Sequence, residues 1–254
     1  MGKKDGRLGE FGVNNNGEEM RIIRYGGAKD IDVLFIKDGT IVEHRAYNNF
    51  KKGKIKNPYF PSVCGVGFIG VGKFKPCDEN GKHTKCYEAW LNMLERCYDP
   101  KYHEKKPTYK GCSVCKEWHN FQNFAEWYYS NYYKLENERM ELDKDILYKA
   151  NKIYSAETCV FVPHSINKLF VKSNKIRGEY YIGVSKDKNG FRAYLSKGNG
   201  KRIYLGYYDT PEEAFLAYKH AKEEYIKEVA EKYKSQIPQK LYDAMITYEV
   251  EIDD

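Results

Sequence analysis

The sequence contains no long apolar run. Its best candidate, residues 63–71, is interrupted by three glycines, whereas a membrane-spanning helix needs roughly 18 consecutive apolar residues. Residues 1–7 are charged and no apolar stretch follows them, so we expect no secretory signal peptide. These absences predict a cytoplasmic protein without a membrane partner.

The cysteines do not indicate disulfides. The seven cysteines are odd in number, and a chain without a secretion signal is expected in a reducing compartment, where disulfides do not persist. Cys112 and Cys115 have the spacing of two zinc ligands. A second such pair does not follow at the usual distance, and cysteine is common as a small buried residue. We therefore do not expect zinc as a cofactor.

Apolar residues make up only 41% of the 254 residues, but aromatic residues reach 15%, with 24 tyrosines. A chain of this length can bury one or two cores, which excludes disorder throughout. The formal net charge is +7, and lysine and arginine concentrate in residues 51–56, 168–177 and 186–202. Basic stretches interleaved with tyrosine favour a polyanionic partner such as nucleic acid; ordinary solvated lysine faces remain the alternative.

The pattern along the chain predicts an α+β protein. Residues 1–20 are polar and favour a flexible arm. In residues 21–80 two β-rich runs flank a turn at 37–40, which predicts a small β module with a hairpin. Residues 81–175 contain apolar residues at helical spacing in 87–97 and 118–128, which predicts two amphipathic helices.

The last segment, residues 178–254, has the clearest pattern. Three runs alternate like strands and are separated by tight turns at Asn189–Gly190 and near Gly198. Thr210, Pro211 and Glu213 then have the order of a capping box at the start of a helix. This segment predicts a three-stranded antiparallel sheet packed on one helix, followed by a C-terminal extension.

Within that segment, Gly183-Val, Arg192-Ala, Leu205-Gly and Glu212-Glu-Ala occur in an order that resembles the plant ethylene-response-factor (APETALA-type) DNA-binding domain. The resemblance implies a sheet whose exposed face enters the major groove of double-stranded DNA. Arginine and tyrosine on such a face reach base edges and phosphates, and the alternation places no acidic side chain there. The alternative is a sheet with ordinary charged exposure. The candidate DNA-binding residues are Arg192, Tyr194, Lys197, Lys201, Arg202 and Tyr204.

The run Leu142-Asp-Lys-Asp-Ile, followed by Tyr154-Ser-Ala-Glu-Thr-Cys-Val-Phe-Val-Pro and Asn167, resembles the HNH-type (ββα-metal) nucleases of phages and introns. The resemblance implies an HNH-like ββα domain in which Asp143 and Asn167 bind the metal and Thr158 takes the position of a central asparagine. Oxygen ligands of this kind suit Mg²⁺ or another divalent cation, which stabilises the charge of the phosphoryl transition state.

Lys144 departs from that pattern, because a histidine normally follows the aspartate and accepts a proton from the attacking water. A lysine is protonated at neutral pH and does not accept it. Three interpretations stay open: the nuclease is degenerate, another histidine (His164, His119 or His103) is the base, or Lys144 holds a phosphate. The candidate catalytic residues are therefore Asp143, Lys144 and His164.

Together these resemblances predict a phage or mobile-element protein in the cytoplasm of a host cell. It binds double-stranded DNA and, if active, cleaves phosphodiesters in the manner of HNH homing endonucleases. Two alternatives remain: a catalytically inactive DNA-binding regulator, and a phage factor that binds a host protein. The sequence leaves the oligomeric state open.

Overall fold

The computed structural model describes residues 6–171, 179–197 and 202–252. The strands form antiparallel sheets, and most helices occur in separate stretches of the chain. This organisation confirms the predicted α+β class. The chain divides into two compact units, Met1–Tyr129 and Ser130–Asp254, and each is described by itself. No helix of the described residues combines the length and the apolarity needed to cross a bilayer.

The first unit begins with a four-stranded antiparallel meander of β1 (Phe11–Val13), β2 (Glu19–Gly27), β3 (Asp30–Phe35) and β4 (Ile41–Arg45). The predicted hairpin turn joins β3 and β4. Residues 1–20 were predicted to form a flexible arm, but strand β1 lies within them. Its three residues pair with β2 despite the polar composition around them. One face of the meander is buried, with Met20, Ile22, Ile31, Val33, Phe35, Val42, Phe50 and Ile55 in its core.

The rest of the first unit is mainly helical. Its elements are α1 (Tyr47–Lys51), α2 (Lys85–Tyr98), α3 (Pro100–Lys105), β5 (Ser113–Val114) and α4 (Phe121–Asn131). Helices α2 and α4 are the two predicted amphipathic helices. The side chain of Thr84 caps α2 by accepting from the backbone N–H of Tyr87. Trp90 is fully buried, and its indole N–H donates to the carbonyl of Trp118 at 2.7 Å.

In the second unit, β6 (Met140–Asp143) pairs antiparallel with β8 (Val160–Pro163), and α5 (His164–Asn167) follows β8 directly. The short strand β7 (Ile153–Tyr154) lies in the connection between β6 and β8. The backbone therefore runs strand, loop, strand, helix. We refer to β6, β8 and α5 with their connecting loop as the ββα segment; its likeness to the nuclease motif stays a prediction.

The remaining strands, β9 (Val184–Lys186), β10 (Phe191–Ser196) and β11 (Arg202–Tyr208), form a sheet with β10 in the centre. Helix α6 (Pro211–Tyr233) packs against it, and α7 (Gln239–Ile246) packs against α6. Thr210 and Glu213 form the predicted capping box at the start of α6. The three-stranded sheet on one helix is thus confirmed.

The two halves of the second unit share core residues. Val160, Val162 and Ile166 of the ββα segment form one cluster with Ile226 and Ala230 of α6. Residues of 178–254 therefore complete the core of the ββα segment, although the sequence assigns 81–175 and 178–254 to separate domains. Periodicity marks which face of α6 is apolar, but it does not reveal that two halves of that face pack on different partners.

Candidate functional site

Asp143 ends strand β6 and organises the turn that follows it. Its Oδ1 accepts the backbone N–H groups of Asp145 at 2.9 Å and of Ile146 at 2.8 Å. Burial, together with the negative charge of Asp145, raises the pKa of Asp143 to about 6. A bound cation would relieve this charge, so the carboxylate fits the role of an oxygen ligand for a hard divalent ion.

Lys144 is buried, with only 7% of its side chain exposed. Its Nζ donates to the carbonyl of Asn151 at 2.8 Å and to the carboxylate of Asp145 at 3.0 Å, and it lies 5.8 Å from the ring centroid of Tyr154. Of the three interpretations, a phosphate contact by Lys144 is disfavoured, because its ammonium is buried and already bonded within the protein. The ammonium instead holds together the loop between β6 and β8.

Asn151 is a site residue that the sequence analysis missed. Its side-chain amide donates to the carbonyls of Lys144 at 2.6 Å and Ile153 at 2.7 Å, and its Oδ1 accepts from the N–H of Ile153. Thr158, the residue at the central-asparagine position, donates from its hydroxyl to the carbonyl of Ile153 at 2.7 Å. These two side chains fix the loop through its backbone.

Glu141 is the second residue that sequence reasoning missed. Its carboxylate receives the side-chain amide of Asn167 and the guanidinium of Arg139, and lies 2.8 Å from Nδ1 of His164. Burial, the largest single effect, raises the pKa of Glu141, but the hydrogen bonds from these three side chains outweigh it and the net direction is downward. The carboxylate is therefore charged at neutral pH. It contacts His164 at Nδ1, so Nε2 is not used in this contact.

Glu141 and Asp143 are two residues apart on β6, so their side chains leave the same face of the strand. With a rise of about 3.3 Å per residue, their Cα atoms are roughly 7 Å apart. Asn167 and His164 of α5 both contact the carboxylate of Glu141 on this face. The amide nitrogen of Asn167 donates to Glu141, so the carbonyl oxygen is the atom of this side chain that would bind a cation. Joint binding of a cation by Asp143 and Asn167 stays a prediction.

The two other histidines considered as bases lie in the first unit. His103 Nε2 lies 2.9 Å from the carbonyl of Arg96, and His119 Nε2 lies 3.5 Å from the hydroxyl of Tyr98. Their ring nitrogens thus have local partners. The third candidate, His164, is the first residue of α5 and contacts Glu141 of β6.

Cys112 is buried and Cys115 is partly exposed, and neither belongs to a disulfide. In the part of the chain that the structure describes, three potential His, Cys, Asp or Glu ligands converge only at Asp30, Asp32 and His44. That group already contains a cation, because Arg24 forms ion pairs with both aspartates.

The sheet presents its predicted face to solvent. Ala193 and Leu195 of β10 are buried beneath it, while Arg192 and Ser196 are exposed and Tyr194 is half-buried. Tyr194 pairs across the strands with Tyr204, and their ring centroids are 5.5 Å apart. The side chain of Tyr204 is 55% exposed, so the face combines tyrosine rings with basic groups.

Three details of this face differ from the expectation. Arg192 forms an ion pair with Asp187, so an acidic side chain does accompany the face. Lys197 turns to the helix side, where its Nζ pairs with Glu228 at 3.1 Å and lies 4.5 Å from the ring centroid of Tyr225. Tyr207, which the sequence analysis missed, stands opposite Arg192 and is 44% exposed.

Arg202 stands opposite Ser196 at the edge of the same sheet and is exposed. Lys201 lies outside the described residues. The groups that the structure places on the exposed face are therefore Arg192, Tyr194, Arg202, Tyr204 and Tyr207. The strand register identifies Tyr207, because directly paired residues share a face.

Comparison with protein-family models, with curated proteins and with solved structures finds no match to this chain. The candidate site therefore rests on its own residues and geometry.

Proposed function

We propose that this protein is a DNA-binding, metal-dependent endonuclease of phage or mobile-element origin. The observation that carries the proposal is the β6–β8–α5 arrangement. It brings His164 and Asn167 into contact with Glu141, which lies two residues before Asp143 on β6, in the same compact unit as a sheet with exposed tyrosines and arginines.

Duplex DNA is the partner that best fits the sheet. An antiparallel ribbon can enter the major groove, and arginines reach both phosphates and guanine edges. The exposed rings of Tyr204 and Tyr207 add apolar contact area between the basic groups. The ion pair between Arg192 and Asp187 has to open or shift when Arg192 contacts DNA.

At the ββα face, Asp143 and the carbonyl of Asn167 would hold a divalent cation, which supplies charge stabilisation for the phosphate and the departing oxygen. Glu141 holds His164 by Nδ1, so Nε2 is the atom that accepts a proton from the attacking water. Lys144, Asn151 and Thr158 keep the loop after Asp143 in place. The side chains of this chain thus orient water and phosphate around one strand end.

A second candidate is a DNA-binding regulator without catalysis. The buried, fully engaged Lys144 favours it, because the residue directly after Asp143 supplies no base. The two functions share the DNA-binding face and differ at His164 and Asp143.

The DNA-binding part is tested by titrating duplex DNA with wild type, Arg202→Ala and the matched control Lys197→Ala at several salt concentrations. We expect Arg202→Ala to weaken binding and to lower the salt slope by about one, whereas Lys197→Ala leaves both nearly unchanged. Salt-independent binding, or equal losses in the two variants, would contradict the assignment of the face.

The metal part has a readout that does not require activity. Mn²⁺ should raise the thermal unfolding midpoint of wild type, because a ligand that binds only the folded state stabilises it. Asp143→Asn keeps an acceptor for the turn but loses the charge, so its midpoint should not respond. Asp78→Asn is the matched control, since Asp78 also accepts two backbone N–H groups in an exposed turn. Equal responses of wild type and Asp143→Asn would contradict the site.

A further inference from the structure

Helix α6 belongs to two hydrophobic cores at once. Its first half contributes Phe215 and Tyr218 to the cluster beneath the DNA-binding sheet, together with Leu195. Its second half contributes Ile226 and Ala230, both fully buried, to the core of the ββα segment. One continuous helix therefore connects the two candidate sites.

Helix α7 strengthens this connection. Leu241 and Met245 are fully buried in the ββα core, and Lys240 donates from Nζ to the carbonyl of Cys159 at 2.9 Å. Tyr242 forms a hydrogen bond with Glu231 of α6. The ββα segment is thus packed against two helices that follow the sheet in sequence.

The C-terminal segment after α7 contacts both halves. Tyr248 packs against both cores. Val250 is buried under the sheet, and its backbone receives Lys219 Nζ at 2.7 Å and donates to Glu223 at 2.8 Å. Lys149, in the loop after β6, pairs with Glu251 at 3.4 Å. A bending motion that moves the ββα segment relative to the sheet would break all of these contacts.

From this shared packing we propose that the substrate is one continuous duplex, read by the sheet and cut by the ββα segment at a fixed offset that α6 sets. The proposal rests on the proposed function. The residues that α6 gives to the two cores, Phe215 and Tyr218 in one and Ile226 and Ala230 in the other, are separated by about 12–22 Å along the helix at 1.5 Å per residue. This separation is less than the roughly 34 Å of one turn of B-form DNA.

The test uses a long duplex selected from a random-sequence pool by binding to the full chain. Hydroxyl-radical footprinting locates the protein, and strand-break mapping with Mn²⁺ locates the cut. Inserts of increasing length, up to one helical turn, are then placed between the footprint centre and the original cut. We expect the cut to remain at the same distance from the footprint in every insert. A cut that stays with its original bases would overturn the proposal.

Footprinting separates this proposal from the proposed function. If the protein binds but does not cut, the nuclease proposal fails. Two protected DNA patches at constant spacing would then still support a fixed distance between the DNA contacts of the sheet and of the ββα segment. A single patch that Arg202→Ala abolishes would overturn it.

A protein variant gives an independent measurement. A short Gly-Ser insertion between Tyr225 and Ile226 separates the two halves of α6, and the same insertion between Asn80 and Gly81 is the control. We expect the first variant to bind DNA with its cuts spread over several positions, and the control to cut at one position. Cuts at a single unchanged position in both variants would overturn the proposal; the DNA insert series decides the matter if the first variant does not fold.

Discussion

Substitution of Ile226 tests whether the ββα segment and the sheet unfold together. Ile226 lies on α6 where the two cores meet and is fully buried. Truncating a fully buried isoleucine to alanine removes three carbon atoms and costs about 2–5 kcal/mol. We expect about 3 kcal/mol for Ile226→Ala and about 1 kcal/mol for Ile226→Val.

The measurement is native-state hydrogen exchange of backbone amides in β8 and β10. A loss of 3 kcal/mol raises the population of the open state by roughly a hundredfold, at tenfold per 1.4 kcal/mol. Tryptophan fluorescence does not read this region directly, because Trp90, Trp118 and Trp127 all belong to the first unit.

If the two cores form one cooperative unit, protection in β8 and β10 falls by the same factor in Ile226→Ala. Leu195→Ala, placed in the core beneath the sheet, should then lower both by equal factors as well. The reasoning is refuted if Ile226→Ala weakens β8 while β10 keeps its wild-type protection.

Three further predictions concern the site. Because the pKa of Asp143 is raised to about 6, the stabilising contribution of its protonated form is present below about pH 4 and is lost as the pH rises through 6. Asp143→Asn should therefore exceed wild type in the free energy of unfolding at pH 7 by up to about 3 kcal/mol. In urea melts at acid pH the two proteins should have equal free energies of unfolding. Lys144→Met removes the donor to the Asn151 carbonyl and the ion pair with the half-exposed Asp145, and should cost about 2 kcal/mol in urea unfolding. A loss below about 0.5 kcal/mol would argue against the role of Lys144 in the loop. His164→Gly should lower cation-dependent nicking about a hundredfold or more, with partial rescue by added imidazole, and Glu141→Gln should lower the nicking rate while duplex affinity is kept; a parallel loss of affinity would contradict the positioning role of Glu141.

Local signals made much of the fold predictable. The hairpin turn before β4, the capping box of Thr210 and the alternation of β10 each depend on residues close in sequence, and each is present in the structure. Sequence patterns of this kind report backbone conformation well because the determining contacts are short-range.

The parts that sequence did not predict depend on long-range packing. The burial of Lys144 requires the loop to fold back so that the Asn151 carbonyl meets its ammonium. Glu141 became part of the site because α5 brings Asn167 and His164 onto its strand. The packing of the second half of α6 against the ββα segment depends on residues that are distant in sequence. Residue type alone does not distinguish these arrangements from exposed ones.

The central claim is most directly tested by incubating the full chain with supercoiled plasmid DNA and Mg²⁺ or Mn²⁺, beside Asp143→Asn and the control Asp78→Asn. The account predicts nicking by wild type and by Asp78→Asn that chelation of the cation abolishes. It also predicts that Asp143→Asn binds the plasmid without nicking it. Retained gel shifts with no nicking by wild type under either cation would contradict the endonuclease and support the regulator.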